Sequence, residues 1–244
     1  MPPTHSTALA SLTAVILAGG LGTRLRSVVA DRPKVMAEVG GRPFLSHWLD
    51  ELGRQGLRRV ILCTGYQADC IKAHFGVRYG PLDLVYSRED QPLGTGGALT
   101  LALRHGASDP ILALNGDSFI HADLGGFYRW YLEWTIRNAL LVAPVADMTR
   151  YGGVELGSCG SVERFIEKGQ GGPGLVNAGV YLLRAQELSE LPLDRATSLE
   201  RDLFPVLAGH SLHGFRCDGA FLDIGTPESY AAAESFFTHR GEQA

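Results

Sequence analysis

Val15-Ile16-Leu17-Ala18-Gly19-Gly20-Leu21-Gly22-Thr23-Arg24-Leu25 passes from a β-branched, apolar run straight into a glycine-rich loop. A short apolar run bounded by glycine reads as a buried strand, and loop amides at its carboxyl end can point at an anion. A dinucleotide loop, G-x-G-x-x-G counted from Gly20, would need its third glycine where Leu25 stands, which weakens that reading. A Walker loop would need Gly-Lys followed by Ser or Thr, and here Arg24 precedes Leu25 instead. Close behind, Arg32-Pro33-Lys34 adds a second cation, with proline stiffening the chain just before it. A guanidinium grips phosphate oxygens bidentately and an ammonium acts as a point charge, so Arg24 and Lys34 together suit a polyphosphate.

The strand-then-helix pattern continues downstream. Pro43 opens a helix whose Phe44, Trp48 and Leu52 share one face, with Gly53 or Gly56 to end it. Strands are predicted at 60–64, 82–87, 111–114 and 140–145. Helices are predicted on Ala68, Ile71 and Phe75, from a Thr95 cap to about Arg104, and on the aromatic face Phe127, Tyr131 and Trp134. Such alternation implies a mainly parallel sheet flanked by helices. From Tyr151 to Leu183 the pattern shortens to strand-like segments at 153–156, 162–167 and 176–183, read as partly antiparallel. Thr197 with Glu200 forms a capping box for a helix through Leu207, and Thr226-Pro227-Glu228 starts another after the apolar strand around Phe221. The expected fold class is α/β, a Rossmann-like three-layer α/β/α arrangement with a mixed, mainly parallel central sheet. One domain is expected over 12–238, between a flexible tail at 1–11 and a short one at 239–244.

Composition removes several classes of function. A formal net charge of -4 supplies no basic field for a nucleic-acid backbone, so no nucleic-acid partner is expected. Cys63, Cys70, Cys159 and Cys217 contain no C-x-x-C pair, which argues against a zinc ribbon or disulfide framework and fits a reducing cytoplasm. The apolar start runs directly into Gly19, unlike a signal peptide, and no run of about 18 apolar residues is present to insert in a membrane. His210 and His213 lack a third ligand at suitable spacing and are discounted as a metal pair, and His47 on a helix is read as structural.

Three further stretches carry chemistry. Gln91-Pro92-Leu93-Gly94-Thr95-Gly96-Gly97-Ala98 is a second glycine loop opening a helix, where the absence of a Cβ lets a flat ring approach the backbone; a tight β-to-α turn is the plain alternative. Leu114-Asn115-Gly116-Asp117-Ser118 ends a buried strand with a carboxylate, although Asn-Gly between apolar runs is also a hairpin signal. Ligands of open α/β sheets sit at the carboxyl ends of strands, where Asp117 falls. Asp223, in Phe221-Leu222-Asp223-Ile224-Gly225-Thr226, is again an acid in an apolar strand and needs a cation or donors. The two acids could share one Mg²⁺, or each could be a turn or capping Asp.

Together these motifs resemble the sugar-1-phosphate nucleotidyltransferases. The signature is LAGGLGTRL (17–25), RPKVM (32–36), QPLGTGGA (91–98), LNGDS (114–118), FIEK (165–168), VNAGVYLL (176–183) and FLDIGTPESY (221–230), in order along nearly the whole chain. Softer cues, among them LRSV (25–28), RPFL (42–45), RYG (150–152) and GLVNAGVYLL (174–183), are similar to the short bacterial D-glycero-α-D-manno-heptose 1-phosphate guanylyltransferases. The resemblance implies the nucleotide-diphospho-sugar transferase fold, with GTP and a sugar 1-phosphate as substrates, pyrophosphate as product and Mg²⁺ as cofactor. It implies that Arg24 and Lys34 handle the triphosphate and that Asp117 and Asp223 are catalytic and hold the metal. The nucleotide would meet Leu17, Gly19, Gly20, Gly22, Thr23, Arg24, Gln91, Gly96, Gly97 and Asn115. Tyr151, Gly152, Glu167 and Asn177 would line the sugar site, with Lys168 on the sugar phosphate. Val35 stands where the family often has a second proline, and Gln91 where related guanylyltransferases often have Glu. A Glu carboxylate can accept from guanine N1–H and N2–H together, which a Gln carbonyl matches less well. Mannose 1-phosphate guanylyl transfer and amino-sugar 1-phosphate uridylyl transfer stay open, as does a homodimer. A non-catalytic nucleotide-sugar sensor would be expected to have lost part of the set Arg24, Lys34, Asp117, Lys168 and Asp223, all of which are present.

Overall fold

Along the first strand, Ala14 and Ile16 pack into one apolar cluster and Val15 into another, as a strand covered on both faces requires. The computed structural model describes residues 9–20, 25, 28 and 31–238. In chain order its strands are β1 (Thr13–Leu17), β2 (Glu38–Val39), β3 (Arg42–Pro43), β4 (Arg59–Thr64), β5 (Arg78–Tyr79), β6 (Leu82–Arg88), β7 (Ile111–Asn115), β8 (Ser118–Ile120), β9 (Asn138–Val145), β10 (Gly153–Leu156), β11 (Val162–Ile166), β12 (Gly174–Leu183), β13 (Leu212–Arg216) and β14 (Phe221–Asp223). The main sheet runs β13-β9-β12-β7-β1-β4-β6-β5. Within it β1 is parallel to β4 and β7, β4 to β6, and β9 to β13. Only β12, antiparallel to β7 and β9, and the edge strand β5 reverse the sense. The sheet is therefore mixed and mainly parallel, as the alternation predicts, and the antiparallel reading of the 153–183 region holds for β12 and for the separate β10–β11 hairpin.

The helices are α1 (Phe44–Arg54), α2 (Ala68–Phe75), α3 (Gly94–Leu103), α4 (Leu124–Glu133), α5 (Ala185–Ser189), α6 (Phe204–Leu207), α7 (Pro227–Ala231) and α8 (Ala233–Thr238). Phe44, Trp48 and Leu52 of α1 join Phe127 and Tyr131 of α4 on one face of the sheet. Ala98, Leu99 and Ala102 of α3 join Leu188 and Phe204 on the other. No helix among the described residues is long and apolar enough to cross a membrane.

Several local expectations are corrected by tertiary contacts. Leu9, placed in the N-terminal tail by the sequence pattern, is buried in the core. Trp134 does not continue the buried face of α4; it caps the helix and is 65% exposed. Thr95 lies inside α3, and Leu93 takes the N-cap position. The helix start is satisfied from afar: the Gly96 amide donates to Thr197 O at 2.9 Å, and the Thr197 amide donates to Leu93 O at 2.8 Å. Thr197 is thereby spent on α3. Ser198 instead caps the next segment, its Oγ accepting from the Arg201 amide, and a π-helical turn (Leu199–Leu203) precedes α6. At α7 the predicted start is present: Thr226 and Ser229 exchange hydrogen bonds as a capping box, with Pro227 at the first turn.

The Asn115-Gly116 pair makes no hairpin. After β7 the chain leaves the main sheet, and β8 pairs antiparallel with β14 instead. Gly116 allows this departure, since its amide donates to Leu17 O at 3.0 Å and a Cβ there would collide with that carbonyl and lie 2.9 Å from Val35 Cγ1. Gly116→Ala is expected to destabilise the protein by ~1–3 kcal/mol through overpacking. Gly20→Ala, where the added methyl would meet open space, should leave the melting temperature unchanged. Equal melting temperatures for the two variants would contradict the close approach at Gly116.

Candidate active site

Three segments meet at the carboxyl ends of β1 and β7. The first carries Lys34. Pro33, with φ at -59°, leads into a 3₁₀ turn (Lys34–Met36) whose Val35 and Met36 are buried, so the lysine is presented from an anchored turn. Val35 thus packs at Gly116 where relatives of the resembled family often have proline. The second segment carries Asp117, held at the start of β8 while Trp48 of α1 donates its indole N–H to Ser118 O at 2.5 Å. The third carries Asp223, which lies opposite Ser118 in the β8–β14 register, with the Ile224 amide donating to Asp117 O at 3.0 Å. Asp117, in the turn that leads into β8, and Asp223, at the end of β14, are therefore brought side by side although far apart in sequence.

The electrostatics of this cluster are unequal. Lys34 Nζ reaches Asp117 Oδ2 at 2.6 Å, with the lysine side chain only 12% exposed. Asp223 Oδ1 accepts from the Gly225 amide at 2.7 Å and lies 3.9 Å from Arg150 Nη2. Burial pushes the Asp223 pKa up, and the neighbouring Asp117 charge adds to the rise; Lys34, the Gly225 amide and Arg150 oppose it. Among the described residues no group of three or more His, Cys, Asp and Glu could cage a metal by itself. Two carboxylates with a mutual repulsion are nonetheless a fitting donor set for Mg²⁺, which commonly takes one or two carboxylates and completes its shell with water and substrate phosphate.

A polar bridge extends the site toward β12. Asn115 Nδ2 and Asn177 Nδ2 both donate to the Tyr181 hydroxyl, at 3.3 and 3.0 Å. Tyr181 is fully buried, and that burial holds its pKa well above the ordinary tyrosine range. Asn177 Oδ1 also accepts from the Gly179 amide at 2.9 Å, so both ends of that side chain are engaged. On the far side, the Tyr151 ring packs edge-on against Phe221 of β14 at 5.5 Å. A Cβ at Gly152 would lie 3.5 Å from Lys168 Cγ, and the Gly169 amide donates to Thr149 O at 3.0 Å, so the Lys168 loop is tied to the Tyr151 turn. Glu167 and Lys168 are exposed on that loop.

The nucleotide-side residues are less evenly gathered. Leu17 ends β1 in register with Asn115 and Cys63, and Gly19 follows it. Gly22, Thr23 and Arg24 lie outside the described residues. Gln91 is exposed on the loop before α3. A Cβ at Gly96 would meet Leu191 and Thr197 and one at Gly97 would meet Leu93, so packing accounts for both glycines. A carboxylate beside Gly19 belongs to Glu89. A Cβ at Gly19 would lie 2.7 Å from Glu89 Oε1 and one at Gly65 2.8 Å from it, while Oε2 accepts from the Leu93 amide at 3.0 Å. Burial raises the Glu89 pKa, partly offset by that amide. Sequence reasoning passed over Glu89, Arg150 and Tyr181. Glu89 carried the same signal as Asp117, an acid directly after a strand; Tyr181 carried none, being one apolar-looking position in a buried run.

Comparison with known proteins identifies the family. A family model described as nucleotidyl transferase matches residues 13–240. The chain belongs to the nucleotidyl transferase family. It is 36% identical to the D-glycero-alpha-D-manno-heptose 1-phosphate guanylyltransferase of Aneurinibacillus thermoaerophilus, over 93% of this chain and 99% of that protein. The mannose-1-phosphate guanylyltransferase of Mycobacterium tuberculosis is 32% identical over 94% of this chain and 68% of its own length. Among solved structures, HddC from Yersinia pseudotuberculosis complexed with GMP-PN superposes with a TM-score of 0.83 at 35% identity, covering 93% of this chain and 99% of that one. The nucleotidyl transferase fold is thus the fold expected from the seven motifs.

For this nucleotidyl transferase, the Asp223 shift has a measurable consequence. Below the ordinary aspartate value of 3.8, both folded and unfolded carboxyls are protonated and the raised folded pKa is not felt. As pH rises past it, the unfolded carboxyl ionises first and the folded state loses relative stability, until pH passes the raised folded pKa. Asp223→Asn retains an acceptor for the Gly225 amide and removes this loss. Melting of the ligand-free variant should approach that of wild type as pH falls below 3.8 and exceed it at pH 8; a variant less stable than wild type at pH 8 would refute the assignment.

Proposed function

We propose that this protein transfers GMP from GTP to a sugar 1-phosphate, with D-glycero-α-D-manno-heptose 1-phosphate as the favoured acceptor, releasing pyrophosphate. The observation that carries the reading is the Lys34–Asp117–Asp223 cluster at the carboxyl ends of the first and seventh strands, in a chain that aligns with a heptose 1-phosphate guanylyltransferase over 99% of that relative. Mannose 1-phosphate is the second acceptor, favoured by the 32% identity to a mannose-1-phosphate guanylyltransferase. Such a reaction would serve surface-glycan synthesis from the cytoplasm.

In the transfer, an oxygen of the sugar phosphate forms a bond to the α-phosphorus, the bond from that phosphorus to the α,β-bridging oxygen breaks, and its electron pair leaves with pyrophosphate. A phosphate monoester has a second pKa of about 6 and is largely dianionic at neutral pH, so the attacking group needs no strong base. The protein's task is to position two polyanions and offset their repulsion. Lys34, anchored by its 3₁₀ turn, and Arg24 are assigned to the triphosphate. Asp117 and Asp223 are assigned to Mg²⁺, which when bound neutralises charge on the phosphates. Asn115 and Asn177, joined through Tyr181, align the nucleotide side with the sugar side.

Base choice falls to Glu89. Its carboxylate beside the glycine loop can accept from guanine N1–H and N2–H, supplying the match that Gln91 lacks. Pyrophosphate release should be measured for the four ribonucleoside triphosphates crossed with heptose, mannose, glucose and N-acetyl-sugar 1-phosphates. Turnover is expected with GTP and the heptose 1-phosphate; turnover only with UTP and an amino-sugar 1-phosphate would refute the reading. Glu89→Gln should cut the preference for GTP over ATP by at least roughly tenfold, the size of a lost charge-assisted hydrogen bond. An unchanged preference would remove Glu89 from base recognition. Asp117→Asn should abolish most turnover while the protein still melts cooperatively.

A further inference from the structure

Arg150 stands beside the reacting centre without being consumed by it. Its Nη2 donates to Ser229 Oγ at 3.1 Å, the capping-box serine of α7, and its guanidinium carbon sits 5.3 Å from the centre of the Tyr151 ring. The approach to Asp223 Oδ1, at 3.9 Å, is too long for a hydrogen bond. Asp223 takes its donor from the Gly225 amide instead, and Asp117 takes Lys34. The guanidinium makes no other hydrogen bond among the described residues, and its side chain is 42% exposed. An arginine held by one acceptor, packed on an aromatic face and facing a carboxylate across a gap keeps donors free for a further anion.

Its neighbour in space supports the same reading. Arg150 belongs to the 147–152 turn, which is tied to the Lys168 loop through Gly169 N and Thr149 O at 3.0 Å, with the Lys168 stem against Gly152. Asp147 Oδ1 reinforces the tie by accepting from the Thr149 hydroxyl at 2.6 Å and from the Gly172 amide at 3.3 Å. One clamped loop pair thus carries two cations, Arg150 and Lys168, the first of them 3.9 Å from Asp223 Oδ1. With Asp117, Asp223 and Lys34 alone the cluster has one negative charge in excess, and Arg150 brings the formal sum to zero before any substrate phosphate arrives.

We propose that Arg150, together with Lys168, binds the phosphate of the acceptor sugar 1-phosphate and holds its attacking oxygen toward the α-phosphorus. The assignment rests on the acceptor chemistry proposed above. It makes Arg150 a substrate-binding residue on the acceptor side, distinct from Arg24 and Lys34 on the triphosphate side.

Steady-state pyrophosphate release by full-length wild type, Arg150→Ala and Arg150→Lys tests this, with GTP and either heptose or mannose 1-phosphate varied in turn. Losing a charge-assisted bidentate contact should raise KM for the sugar 1-phosphate roughly ten- to hundredfold in Arg150→Ala, with KM for GTP and the half-saturating Mg²⁺ concentration unchanged. Arg150→Lys should recover part of the loss, since a point charge replaces the fork. Titration of inorganic phosphate as a competitor should show weaker inhibition of Arg150→Ala than of wild type. An unchanged sugar-phosphate KM, or a rise in KM for GTP of the same size, would overturn the proposal and make Arg150 a support for Asp223. Wild type that turns over no pairing of triphosphate and sugar 1-phosphate would overturn the acceptor reading itself, and the proposal with it.

Discussion

Asp117, just before β8, and Asp223, at the end of β14, are kept side by side although the charge of the first makes the second harder to ionise. Unpaired, such an arrangement would favour protonation or separation of the two strands. It persists because the backbone fixes it, through the β8–β14 ladder and the bond from Ile224 N to Asp117 O. Lys34 then offsets one of the two charges at 2.6 Å. The closeness of the two carboxylates is therefore set by backbone hydrogen bonds, and Lys34 offsets their charge only in part.

The supports of the cluster explain much of the surrounding architecture. Gly116 lets the chain turn out of the main sheet against Leu17 and Val35. Trp48, buried at the centre of α1, fixes β8 by its carbonyl. The capping box of α7 ends the strand that bears Asp223 and supplies Ser229 to Arg150. Core packing and site geometry thus share residues, and a change in the first is felt in the second.

Two regions around the carboxylate cluster are built differently. In one, Glu89 lies against Gly19 and Gly65 and accepts from the Leu93 amide. In the other, the β10–β11 hairpin forms a separate two-stranded sheet, and the Gly169 amide ties its neighbouring loop to Thr149 O. Between them runs the Asn115–Tyr181–Asn177 bridge, whose phenol stays protonated because it is fully buried. The bridge engages both ends of Asn177 but only the amide nitrogen of Asn115, whose buried Oδ1 has no hydrogen-bond partner among the described residues.

Sequence alone determined whatever depends on neighbours along the chain. The apolar run into Gly19, the proline before Lys34, the acids ending two strands and the Thr226-Pro227 helix start are local signals, and the fold class and the central cluster follow from them. Contacts between remote segments decided the rest. Thr95 and Thr197 read as caps because both have the right side chain, yet Thr197 meets the start of α3 through its backbone, and the Thr95 hydroxyl accepts from the Leu199 amide across the fold. Glu89, Arg150 and Tyr181 acquire meaning only from partners such as Gly19, Ser229 and the two asparagines. Side-chain chemistry is written in the sequence, but the free energy of a polar group depends on which donors, charges and apolar surfaces surround it, and folding alone brings those together.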